Sequence, residues 1–288
     1  TKEMLEAAQK NGYKMSASAM QFMDNVNEKD LRELFGYVEP NADGQSFTGM
    51  HKKFWESQLA ANQAIERAIA IIKEQRANLG DDSKEFFFEH TSWTNTRSGY
   101  DSAFNLQANK IHRAVAGMSA HVVEVSIEAP MRNGETTKFG EFLQAVAMGA
   151  EGASDVMGIQ PVGNVSAETF LPKFQEYLQR DYVQAGIESM AVALESKPTK
   201  ADMHNIKRVV TEFDMGALSV RALQALANMY IAQRDGARTF TSDIAFGSDG
   251  VTNGPFLTQV LMNTLAASMY GAGGMYMESD GITNVPQY

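Results

Sequence analysis

The chain has 288 residues, enough for one large domain or two ordinary ones, and 44% of them are hydrophobic, so a packed core is expected and a disordered chain is not. It carries no cysteine, which removes disulfides, thiolate zinc sites and cysteine nucleophiles. The net charge of -10 argues against an independent nucleic-acid-binding module, although local basic patches count for more than the total.

Residues 1 to 36 read as helical, with Met20, Phe22, Met23, Leu31, Leu34 and Phe35 as core candidates and Gly36 as the stop. The first residue is not methionine, so the chain is expected to be a piece of something longer or a processed product. Pro40-Asn-Ala-Asp-Gly44 reads as turns, because Asp-Gly and Asn favour tight turns. From 49 to 79 runs the strongest helical pattern. Trp55, Leu59, Asn62, Ile65, Ile69 and Ile72 recur at spacings of three and four, which aligns them on one stripe. Glu66, Arg67, Lys73 and Arg76 are expected on its solvated face, and Gly80 is its expected C-cap.

Residues 85 to 128 change character, with β-like runs at Phe86-Phe-Phe88 and His121-Val-Val-Glu-Val-Ser-Ile127. Helical patterning returns from 137 to 235, broken at 149–152, at 158–163 and at Ser196-Lys-Pro198. Thr199 followed by Asp202 is an N-cap signal. Phe240, Ile244 and Phe246 alternate over a short strand from 239 to 246. This order of helices, strands, helices and strand predicts an α+β fold. No apolar run approaches the roughly 18 residues of a membrane span.

That last strand runs into Gly247-Ser-Asp-Gly-Val-Thr-Asn-Gly-Pro255. Gly250 lets the backbone approach an ion closely. Thr252 or Asn253 can cap the helical pattern that follows, and Pro255 suits its first turn. A carboxylate at a strand end beside a helix N-terminus offers a hard oxygen ligand to a divalent metal and a favourable end to phosphate. Asp249 is therefore a candidate catalytic and metal-binding residue, with Gly250 beside it.

This segment resembles motif A of the single-subunit RNA polymerases of phage and mitochondrial type, and most of all the virion-packaged branch, whose motif reads Asp-Gly-Val-Thr-Asn-Gly-Pro. The resemblance implies DNA-directed nucleotidyl transfer with two Mg²⁺ ions. Asp249 would bind both, and Gly250 would offer its carbonyl. One ion would activate the RNA 3′ hydroxyl and the other would stabilise the triphosphate and the leaving pyrophosphate. It also implies a DNA template, an RNA product and nucleoside triphosphates as partners, with other virion or ejection proteins beside them. The place would be the phage virion, and the host cytoplasm after ejection.

A second match lies upstream. Arg97 is followed seven residues later by Phe104-Asn-Leu-Gln107, then by Lys110 and Arg113. The family has an arginine followed at that spacing by Phe/Tyr-Asn-Pro-Gln, with a basic residue further on. The resemblance implies that Arg97, Lys110 and Arg113 contact nucleic acid or nucleotide. A guanidinium suits such a contact because it forks onto phosphate oxygens. Two departures stand out: Leu106 replaces the proline, and Trp93-Thr-Asn-Thr96 replaces most of the Asp-x-x-Gly-Arg signature.

By position, residues 1–82 would form a helical, thumb-like region. Residues 83–288 would form the N-terminal part of the palm, with a helical insertion at about 137–235 and motif A at 247–256. Ser279-Asp-Gly-Ile-Thr-Asn-Val-Pro286 nearly repeats motif A. Asp280 is thus a reserve candidate, although no strand pattern leads into it. None of His51, His90, His112, His121 and His204 has metal-ligand spacing. Neither the fingers residues nor the second metal-binding aspartate is found after residue 255. The remaining part of the polymerase is expected to supply both, and this chain alone is expected to be inactive. The alternative is a non-catalytic structural or ejected virion protein with a polymerase-like fold.

Overall fold

The computed structural model describes residues 9–92, 98–107, 109–244, 276–279 and 284–287. Two compact units divide the chain, residues 1–246 and 247–288. Asp249, Gly250, Arg97 and Asp280 lie outside the described residues.

The first unit opens with a strand, β1 (Gly12–Met15), where the sequence reads as helix. Tyr13 and Met15 are buried and their neighbours half-buried, the alternation of a strand with one face on the core. Four residues are too few for that period to stand out beside the helical pattern that follows. β1 is the centre of a three-stranded antiparallel sheet in the order β2-β1-β5, with β2 at Phe86–Phe87 and β5 at Ala116–Met118. Tyr13 faces Phe86 on one side and Met118 on the other.

Ser16 then starts α1 (Ala17–Asn25), its Oγ accepting the Ala19 N–H at 3.3 Å. Asn27 caps α2 (Glu28–Leu34) in the same way. Met20, Phe22, Leu31, Leu34 and Phe35 are buried, as their spacing predicts.

Helix α3 (Gly49–Leu79) matches its sequence pattern and ends at Gly80, which has φ 66°. Glycine takes that left-handed conformation without steric cost. Asn62, Ile65, Ala68, Ile69 and Ile72 are its buried residues. Buried Asn62 is satisfied by the main chain of Val38, accepting from its N–H at 3.2 Å and donating to its carbonyl at 2.8 Å. The first turns leave the core: Met50 and Phe54 are 68% and 72% exposed. Trp55 braces them by donating to the Asn41 carbonyl at 3.0 Å.

The expectation of a uniformly solvated outer face is corrected at Arg76. Its guanidinium reaches Asp24 at 2.6 and 2.8 Å and Asp82 at 2.9 Å, so it ties α1 to the end of α3. The hydrogen bond from Arg76, aided by its charge, holds the Asp24 carboxyl below its usual value against a small burial penalty.

Strands β3 (His90–Ser92) and β4 (Ser98–Tyr100) pair antiparallel, and helix α4 (Lys110–Val115) follows. β6 (Val123–Ser126) pairs with the late strand β9 (Thr239–Ser242), and β7 (Met131–Arg132) with β8 (Glu135–Thr136). Between β8 and β9 stands the helical segment: α5 (Lys138–Met148), α6 (Ala153–Met157), α7 (Ala167–Leu178), α8 (Asp181–Glu195), α9 (Lys200–Phe213) and α10 (Ala217–Arg234). Thr199 and Asp202 form a reciprocal capping box at the start of α9. α9 buries Met203, Ile206, Val209, Val210 and Phe213, each contributing about 1.5–3 kcal/mol.

α10 is the central helix. Ala217 and every residue from Ser219 to Ala227 are buried, so its first two and a half turns are enclosed on all faces. In the second unit, β10 (Tyr276–Ser279) pairs antiparallel with β11 (Asn284–Gln287), so a strand does run up to the residue before Asp280, where the sequence shows no strand pattern because four residues are too few for an alternation to stand out.

Helices α8 and α9 pack closely at Gly186, where an added Cβ would lie 2.4 Å from Val209 Cγ2. Alanine gains about 1 kcal/mol in helix propensity, but overpacking a stiff β-branched neighbour costs about 1–3 kcal/mol. Gly186→Ala should therefore destabilise the fold. Val209→Ala combined with it should remove the clash, so chemical denaturation of the two single variants and the double should show strong non-additivity.

Candidate functional site

The described part of the upstream motif is a knot of side chain to main chain hydrogen bonds. Asn105 Nδ2 donates to the Tyr100 carbonyl at 3.2 Å, and its Oδ1 accepts the Gln107 N–H at 2.9 Å. Gln107 Oε1 accepts the Tyr100 N–H at 3.3 Å. The end of β4 is thus stitched to the Phe104–Gln107 turn, and the β3–β4 pair brackets residues 93–97 in sequence. Under the turn lies an aromatic cluster: Phe88 stacks on Tyr100 with centroids 4.2 Å apart, and Tyr13 and Phe104 pack beside them. The Tyr13 and Tyr100 hydroxyls meet at 2.7 Å. Burial, then the Tyr13 hydroxyl, push the Tyr100 phenol up. Leu106, in the place of the family's proline, is buried in this core.

His112 closes the knot. It is 2% exposed. Its Nδ1 accepts the Asn105 N–H at 3.1 Å, so its Nε2 carries the proton and donates to the Ala68 carbonyl of α3 at 3.3 Å. The ring also packs on Phe104 at 4.8 Å. Burial pushes His112 below its ordinary value of 6.5, and a proton on Nδ1 would abolish the bond from Asn105. Nothing in the histidine spacing signals this role.

Of the sequence candidates, Lys110 and Arg113 fall within the described residues, both exposed on α4. Arg113 is turned back onto the chain, with Nε donating to the Leu106 carbonyl at 3.0 Å and Nη2 to that of Gln107 at 3.1 Å. Lys110 stands on the first turn of α4, which Asn109 caps by accepting from the Ile111 and His112 N–H groups. Lys110 and Arg113 therefore share one short helix, directly after the turn that holds Tyr100.

The strand leading in sequence towards Asp249 ends at a charge pair whose cation is buried and whose carboxylate is half-buried. Arg221 Nη2 lies 2.5 Å from Asp243 Oδ1, and its side chain is 9% exposed. Arg221 also donates to Ser16 Oγ and, at 3.4 Å, to the Asp243 carbonyl. Burial works against the Asp243 charge, but the Arg221 guanidinium and the hydrogen bonds from Arg221 and Ser16 hold the carboxyl below its usual value. The signal was present in the sequence as a lone arginine inside Ala217-Leu-Ser-Val-Arg-Ala-Leu-Gln-Ala225. Among the described residues no group of three or more His, Asp or Glu side chains is placed to hold a metal ion, and none of their helices is long and apolar enough to cross a membrane.

Residues 1–116 match the family model described as a virion DNA-directed RNA polymerase domain. This part of the chain is similar to that domain. The match spans β1 to α4, including the knot, Lys110 and Arg113, and ends where β5 begins. No curated protein matches the chain.

The His112 geometry fixes a sign. Its folded-state value lies below the unfolded one, so the unfolded chain binds more protons and stability rises with pH. The contribution of neutral His112 is complete above about pH 6.5 and is lost as pH falls below that value. Denaturation midpoints should fall less steeply from about pH 7.5 to about pH 5.5, one unit either side of an ordinary imidazole, for His112→Gln than for the unsubstituted chain.

Proposed function

We propose that this chain is a component of a DNA-directed, phage-type RNA polymerase, comprising a thumb-like region over 1–82 and the first part of the palm over 83–288, with the helical insertion at about 137–235 and motif A at 247–256. The observation that carries the reading is the virion polymerase domain match over residues 1–116, joined to the Asp249 motif in the sequence. The fold supports it in two ways. α3 is a single 31-residue helix, about 46 Å long at 1.5 Å per residue, whose exposed first turns carry Met50, Lys52, Lys53 and Phe54, a mix of basic and apolar groups suited to nucleic acid. In addition, β9 leads in sequence towards Asp249 from a fixed pair with β6.

Asp249 and Gly250 would hold Mg²⁺, which when bound supplies charge stabilisation for nucleotidyl transfer. A carboxylate and a main-chain carbonyl are the hard oxygen donors Mg²⁺ takes, and they fill only part of its octahedron. The second aspartate and the fingers residues would come from the remaining part of the polymerase. Arg97 would contact phosphate or base through its fork, with Lys110 as a point charge nearby in sequence. The bonds from Arg113 to Leu106 and Gln107 leave it part of its guanidinium for nucleic acid and give it a bracing role as well.

In the complete polymerase, Asp249→Asn should lower primer extension by several orders of magnitude while leaving template binding intact, because a neutral amide is a poor Mg²⁺ ligand. Asp280→Asn should stay near normal. Arg97→Ala should slow nucleotide addition, and Arg97→Lys should restore it only in part. Undiminished extension by Asp249→Asn would end the reading. Single-nucleotide extension and template-binding assays, run side by side, make the test.

A further inference from the structure

A cleft of about 560 Å³ lies between α5, α7, α8 and α10, within the span usual for small-ligand sites. Its floor is apolar: Leu143, Leu178 and Ile187 are each no more than 5% exposed. Amides stand around that floor. Gln175 and Gln179 line it from the end of α7, and Tyr230 and Gln233 from the last turns of α10. Spacings of four and of three put each pair on one side of its helix. Gln184 joins them from α8. Its Nε2 donates to the Leu178 carbonyl at 2.6 Å, which fixes the amide and leaves Oε1 as an acceptor. Among the described residues the side chains of Gln175, Gln179, Gln233 and Tyr230 have no hydrogen-bond partner. The charged groups of the lining, by contrast, are already matched. Arg234 reaches Glu195 at 2.6 and 2.9 Å and Asp235 at 2.9 Å, and Glu128 takes Arg132 at 2.7 Å.

An amide carries a donor and an acceptor side by side and no charge. A neutral, planar ligand whose edge bears the complementary pair fits such a lining, and a bare phosphate finds no free cation in it. Adenine has that edge, an amino donor beside a ring-nitrogen acceptor, which glutamine takes with two hydrogen bonds. An unpaired base also brings a flat face for an aromatic ring to stack on. A peptide main chain offers the same donor and acceptor, but its usual seat is the edge of a sheet, and the amide-bearing walls here are helices. We propose that this cleft takes up an unpaired nucleobase, adenine best, with its face on Tyr230, its edge on the glutamine amides and its sugar and phosphate outside. The inference rests on the reading of the chain as a polymerase component that handles nucleic acid, and it adds a base-reading site within the helical segment of 137–235.

The test measures binding of the full 288-residue chain to a short labelled deoxyadenosine strand and to the same strand made abasic. Both carry the same phosphates, so the ratio of their affinities isolates the bases. The parent should favour the base-bearing strand by roughly 5- to 150-fold, the range for one stacked base. Tyr230→Leu should lose most of that ratio, and Tyr230→Phe, which keeps the ring, should keep most of it. Gln179→Leu/Gln233→Leu alters two exposed side chains, so it should fold, and it should lower both the ratio and the preference for deoxyadenosine over thymidine strands. Affinity for the abasic strand should stay parental throughout. No binding of either strand at low salt, a parental ratio near one, or an unchanged ratio in the folded variants would overturn the proposal. If Tyr230→Leu does not fold, the glutamine double variant decides: a lowered ratio supports the proposal and an unchanged one overturns it. Two competitors name the source of the base. Displacement of the strand by adenosine monophosphate supports a free nucleotide as the ligand, and an intact ratio without displacement supports a strand. Displacement by an uncharged peptide but not by the nucleotide overturns the proposal. Asp249→Asn is measured for primer extension in the complete polymerase alongside. If it retains activity, the polymerase reading fails; if it is inactive while the cleft variants bind as the parent does, only the base site fails.

Discussion

A guanidinium enclosed by a helix core must find its counter-charge inside the protein, and Arg221 finds it at Asp243. This pairing ties together elements that are far apart in sequence. α10 supplies the cation, the residue after β9 the carboxylate, and the cap of α1 the hydroxyl. Since removing the carboxylate would leave a buried guanidinium without its counter-charge, the three cannot separate without a loss of stability. The sheet β2-β1-β5 then hangs on the same point, because Ser16 follows β1 directly and bonds to Val115 just before β5.

His112 plays a comparable part for the segment that matches the virion polymerase domain model. One imidazole, neutral and oriented by its two nitrogens, links the turn after β4 to the middle of α3. The turn after β4 and the long helix are thereby held to a common reference, although 44 residues separate His112 from Ala68. The aromatic cluster of Tyr13, Phe88, Tyr100 and Phe104 fills the space between β1 and this turn. That packing explains why leucine is accepted at 106: the site asks for apolar volume in the core, and Leu106 provides it.

The sequence made α3 and its glycine stop legible because a single amphipathic stripe over many turns leaves little ambiguity. The capping box at Thr199 and Asp202 was legible for a similar reason, since its signal is local. β1 was not, because its alternation lasts four residues and its stability comes from partners 73 to 105 residues away. Arg76 looks solvated in the sequence because its two carboxylate partners come from different parts of the chain, Asp24 on the last turn of α1 and Asp82 beyond Gly80. The site divides in the same way. Asp249 and Arg97 stand out by motif, whereas Asn105, His112 and Arg221 act through contacts that no spacing announces.

The manner in which α3 is held has a mechanical consequence. From Asn62 to its end the helix is seated in the core and locked by Arg76, while its first turns stand clear of the core with Trp55 lying against Gly44. It is a propped beam: clamped at one end, with an arm of about 20 Å at 1.5 Å per residue that Trp55 rests on the Asn41 carbonyl. Tilting such a beam by about 10° at the clamp carries its tip through roughly 3 Å, the scale of one contact with a ligand. Stiffness at the clamp, and so the strength of the Arg76 fork and of the Asn62 bonds to Val38, sets how far Met50 and Phe54 travel.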